Sequence, residues 1–130
     1  MSHNPAIAPD PAIWLTLSES TRQELVQDWH AQNPNPMIHL RVPDAMHSRM
    51  HVAVENQMAL DEPKVTAVTL DRLTDAGLNR HVAAHAIIDV FMRQMVATMT
   101  SGQPFDSTAY AAALTTLSGA DIVARRLGKS

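Results

Sequence analysis

Apolar residues along the chain recur at helical spacing in successive segments, and prolines, glycines and short polar side chains separate those segments. Leu25, Val26 and Trp29 form the inward stripe of a first predicted helix, which begins near Ser18 and runs to Trp29 or His30. Asn33-Pro34-Asn35-Pro36 ends it, because each proline disfavours helix in the residue before it. Pro43 suits the first turn of a second helix over residues 43–60, with Met46, Met50, Ala53 and Val54 on one side. Pro63 opens a third, whose apolar face is Val65, Val68, Leu73 and Ala76 and whose stop is Gly77. Asn79 caps a fourth, from Arg80 to about Thr100. Gly102 and Pro104 punctuate again, and Asp106 or Ser107 caps a stretch through Leu117. Gly119 then reads as a break before a short tail helix containing Ile122, Val123 and Leu127.

The β-branched runs are short and no repeat implies a solenoid, so the predicted fold is all-α, a small bundle of four to five helices. Residues 1–12, rich in proline, read as an extended or mobile tail, and 13–130 as one helical-bundle domain. A length of 130 residues supports a single core. Eight methionines against five aromatic residues indicate an interior filled by flexible side chains rather than rings.

Charge and cysteine content narrow the function classes. The formal net charge is −3 and the densest basic run is Arg125-Arg126, which argues against a nucleic-acid partner. The absence of cysteine excludes thiolate ligands, so any metal must be held by histidine and carboxylate. The first ten residues are too polar for a secretory signal or a membrane span, and the expected location is cytoplasmic with no membrane partner.

The histidines carry the candidate chemistry. His47, His51 and Glu55 stand at four-residue intervals, and His81 and His85 repeat the interval in a later segment. A helix brings such residues onto one face, so two packed helices can aim four imidazoles and a carboxylate at one point. Seven histidines scattered at random over this length give roughly 0.3 pairs at that spacing, and the chain has two. His81 and His85 share a stripe with Ile88, Met92, Met95 and Met99 and are expected to point inward. His47, His51 and Glu55 border the Met46/Met50/Val54 face and are expected at a rim between core and solvent. His30 and His39, lacking a partner four residues away, are weaker candidates, and His3 lies in the tail. Asp89, one turn beyond His85, can orient that ring from behind or serve as a surface acid; Arg80 can meet an anion at the mouth or be a solvated first-turn residue.

The stretch His47-x3-His51-x3-Glu55-Asn56-Gln57, followed by Gly77-Leu78-x-Arg80-His81-x3-His85-Ala86-Ile87, resembles a family of small uncharacterised bacterial helical proteins. The similarity covers about residues 36–97 and implies that His47, His51, Glu55, His81 and His85 act as one set, with no activity attached. The middle of the hemerythrin pattern is a looser likeness; the chain departs from it in lacking a later His-x4-Asp segment for a bridging carboxylate.

Imidazoles with one carboxylate suit a divalent transition metal such as zinc, iron or nickel better than magnesium or calcium. The expected site is mononuclear, held by His47, His51, Glu55, His81 and His85 between the 43–60 and 80–100 helices. Hydrolysis, oxygen handling and metal sensing stay open, as do the substrate and assembly into a homo-oligomer. The alternative is a non-enzymatic interaction or structural module with core histidines and a Met-rich dimer surface that includes Met50 and Met92.

Overall fold

The computed structural model describes residues 8–32, 44–120 and 122. Among them six helices and no strand occur: α1 (Pro11–Trp14), α2 (Glu19–Gln32), α3 (Asp44–Leu60), α4 (Lys64–Asp75), α5 (Arg80–Ser101) and α6 (Ser107–Thr116). The protein is an all-α bundle, as the apolar pattern predicts.

The boundaries follow from local chemistry. The backbone N–H of Thr21 donates to Ser18 Oγ at 3.1 Å and starts α2, that of Val82 donates to Asn79 Oδ1 at 2.9 Å and starts α5, and that of Ala109 donates to Asp106 Oδ1 at 2.9 Å and starts α6. Helix α4 closes in a Schellman turn. Gly77 adopts φ 109, its N–H donates to the Thr74 carbonyl and that of Leu78 to the Leu73 carbonyl. Leu78 and Leu73 are both buried in the main core, the apolar contact that accompanies this motif. The single turn α1 begins two residues inside the stretch expected to be extended, at Pro11 and Ala12; Asp10 caps it, accepting from the Ala12 N–H at 2.9 Å.

Helix α5 contacts α3, α4 and α6, and α3 contacts α1, α2, α4 and α5. The main core gathers Val54, Leu73, Ile87, Ile88, Tyr110 and Leu114. A second cluster of Trp14, Val26 and Val52 seals α1 and α2 onto α3. The polar triplet Glu55-Asn56-Gln57 ties these layers together from the middle of α3. Asn56 Oδ1 accepts from Trp14 Nε1 and from Arg22, each at 2.9 Å, while Asn56 Nδ2 donates to Glu19 at 3.0 Å. Gln57 Oε1 accepts from Thr66 at 2.7 Å and from the Tyr110 hydroxyl at 2.9 Å. Glu55 pairs with Arg80 of α5. Three successive residues therefore reach every other helix.

The Arg72 guanidinium donates to the carbonyls of Leu114 and Leu117 at the end of α6, the first of which also accepts from the Leu117 N–H. The expected break falls at 117–118, just before Gly119, and the helical residues 119, 120 and 122 follow it, with Ile122 buried. The missing side chain of Gly119 serves a close approach, since a Cβ there would lie 2.4 Å from Ala76 Cβ. Gly119→Ala is expected to destabilise the fold by about 1–3 kcal/mol through overpacking, read as a lower urea midpoint at unchanged m-value. The other tail-helix residues named above, Val123 and Leu127, lie outside the described residues.

Two expectations about faces need correction. Met92 is 5% exposed and Met50 is half-buried against the main core, so the two do not form an exposed face on a single chain. The stripe on α5 also does not stay inside. Met99, its last member, is 72% exposed, and Val96 beside it on the last turns of α5 is 49% exposed. Among the described residues α5 is the one helix long and apolar enough to cross a membrane. The core helix of a bundle meets the same description, and α5 packs against three neighbours.

Candidate metal centre

Helices α3 and α5 lie side by side, and the four-residue spacing places His47 and His51 on one and His81 and His85 on the other, facing each other. Helix α2 packs on α3, and its Trp29 and His30 rings reach His81 and His85 of α5 across this seam. Val26, one turn before His30 on the same stripe, is fully buried against Trp14 and Val52, and this contact turns the His30 ring inward.

The ring nitrogens converge. His51 Nε2 lies 3.0 Å from His47 Nε2 and 2.8 Å from His85 Nε2. His30, His51, His81 and His85 each offer a ligand atom, and these four atoms lie within 4.8 Å of one another. Ring centroids stand 4.4 Å apart for His30 and His51 and for His81 and His85. The four imidazoles could hold a metal ion, and among the described residues the group contains no carboxylate.

The Nδ1 of His30 is 2.8 Å from the Val26 carbonyl, which can only accept, so Nδ1 carries the proton and Nε2 carries the lone pair. The Nε2 atoms of His30 and His81 are both shielded from water. The Trp29 ring stands edge-on to His30 and His81, at 5.0 and 4.9 Å between centroids, and forms one wall.

His51 is 1% and His85 3% exposed, whereas His30, His47 and His81 are half-buried. Burial first, and then the fields of His85, His30, His47 and His81, hold the His51 imidazole well below its ordinary range and keep it neutral. A neutral imidazole is the form that binds a metal.

Of the five residues expected to form the site, the structure brings His51, His81 and His85 into the four-nitrogen group and sets His47 against His51. Glu55 lies outside that group. Both its oxygens accept from Arg80, at 2.7 and 2.8 Å, and at 2% exposure it is interior rather than at a rim. His51 is likewise interior. The rim expectation fails because α2 covers this edge of α3, which the pattern of α3 by itself does not reveal. His30 enters from a helix with no His pair; its position four residues after the apolar Val26 was the available signal. Arg80 is committed to Glu55 rather than solvated, and Asp89 is half-buried one turn beyond His85. His3 and His39 lie outside the described residues.

A family model described as a domain of unknown function, DUF1841, matches residues 14–116, a span that contains all five clustered histidines and the Glu55–Arg80 pair. No curated protein and no solved structure matches the chain.

Proposed function

The chain belongs to the DUF1841 family, and we propose that it is a metal-binding protein whose mononuclear centre holds a divalent transition metal. His30, His51, His81 and His85 are the ligands in this reading, with His47 beside them as a further nitrogen. Glu55 acts through Arg80 to keep α3 and α5 in register and does not ligate.

One observation carries the proposal: three Nε2 atoms meet at His51 within 3.0 Å. An imidazole nitrogen bears either one proton or one lone pair, so hydrogen bonds can pair these rings only two at a time. A metal accepts lone pairs from all of them together. With metal–nitrogen bonds of about 2.0–2.1 Å, neighbouring ligand nitrogens sit about 3.0 Å apart in octahedral and about 3.3 Å apart in tetrahedral geometry. The two separations at His51, 2.8 Å to His85 and 3.0 Å to His47, are close to the octahedral edge, and the four nitrogens of His30, His51, His81 and His85 lie within 4.8 Å of one another. Imidazole donors favour zinc, iron, nickel and copper, and four or five of them leave an octahedral ion at least one open position.

Metal binding to the native state stabilises it by mass action. Zinc or nickel at one hundred times its dissociation constant contributes about 2.7 kcal/mol, which for a chain of this size raises the melting temperature by roughly 10 °C. His51→Ala combined with His85→Ala is expected to abolish that shift. An equal shift in the double variant would sink the proposal, because any binding would then lie elsewhere.

A further inference from the structure

Charge at the histidine cluster is unbalanced in a way that bears on what the site binds besides the metal. All its described donors are imidazoles, which bring no charge to an ion they ligate. The carboxylate one turn beyond His51 on α3, Glu55, is bound through both oxygens to Arg80, and that pair sums to zero. Asp89, one turn beyond His85, is not among the donors. A divalent ion seated against His51 and His85 therefore receives no negative charge from the described donors, in an interior where the two rings are 1% and 3% exposed. Uncompensated charge in such surroundings is costly, and an anion bound directly to the ion offsets it most effectively.

Resting on the metal reading above, we infer that the centre takes a small anion as the exogenous ligand of its ion. The class is monovalent anions of one to three heavy atoms, with hydroxide the default in water. Size follows from the packing: imidazole centroids in the cluster are mostly 4.4–5.6 Å apart, which is ring-to-ring contact, and Trp29 closes one side. Approach is from the half-buried edge formed by His30, His47 and His81. A ligand built on a large organic acid does not fit between those rings.

The test is an azide titration of the full chain loaded with copper(II), followed by optical absorption. The expected result is a new charge-transfer band that saturates at one azide per copper. In His81→Glu, where the chain supplies its own negative charge, azide affinity is expected to fall at least tenfold. Stoichiometric copper with no azide band in the parent overturns the inference and leaves the metal centre standing. Uptake of copper(I) alone, with azide ignored, also overturns it, because a monovalent ion relieves the charge without an anion. A parent that binds no copper, zinc or nickel overturns the metal reading and this inference together.

Discussion

Replacing Arg80 with alanine is expected to destabilise the fold by about 3–5 kcal/mol, a large share of the roughly 5–15 kcal/mol that holds a domain of this size together. The reason is geometric. The Arg80 and Glu55 side chains are 12% and 3% exposed, and two short hydrogen bonds join them. Alanine leaves the Glu55 carboxylate buried without its partner. The cost lies in the orphaned charge more than in the lost attraction, so the Glu55→Leu/Arg80→Met double variant is expected to recover most of the stability. Urea denaturation of the parent, the single and the double variant reads both effects. A single variant within about 1 kcal/mol of the parent would place the pair in the class of solvated surface bridges. The same pair fixes the site: Glu55 lies one turn from His51, and Arg80 immediately precedes His81. The double variant, though stable, is therefore expected to bind zinc more weakly than the parent.

Acid is expected to weaken the metal-free fold between pH 7 and pH 5, well before it protonates most carboxylates. Burial and the neighbouring histidines depress the His51 pKa in the native state below its ordinary 6.5, while the unfolded chain titrates near that value. The unfolded state thus binds the extra proton, and stability rises with pH. The contribution is fully present above pH 6.5 and is lost as pH falls below it toward the depressed native value. Between pH 7 and pH 5 a single such group removes at most about 2 kcal/mol. Thermal melts of chelator-treated protein across this range check the sign, and a melting temperature that stays flat from pH 7 to pH 5 would contradict it. Added zinc is expected to restore part of the loss at pH 6, since a bound ion occupies the lone pair that a proton would take.

Helix boundaries were legible because they are written in local chemistry. Ser18, Asn79 and Asp106 cap in place, Pro63 precedes α4, and Gly77 ends it with a positive φ. Each signal acts within a few residues, so a linear reading captures it. The pairing of His81 with His85 and of His47 with His51 was legible for the same reason, being one helical turn.

What depended on how helices meet was not. His30 has no second histidine on its own helix and joins the cluster because α2 packs on α3 and carries its ring to His81 and His85. Glu55 carries the spacing of a ligand, yet its oxygens are drawn to a guanidinium from α5. The adjoining Asn56 and Gln57, which in the sequence carry only a family resemblance, bind Trp14, Arg22, Glu19, Thr66 and Tyr110 and hold the bundle together. Gly119 marked the break, which falls just before it, but its close approach to Ala76 was not legible along the chain.

The most direct test is the metal content, by mass spectrometry, of tagless protein purified without chelator, beside the His51→Ala/His85→Ala variant. A metal centre built on His30, His51, His81 and His85 predicts close to one zinc, iron, nickel or copper ion per parent chain and none in the variant. A folded parent that arrives metal-free and refuses added zinc, nickel and copper would contradict it, and would make the five histidines packing residues of the bundle core.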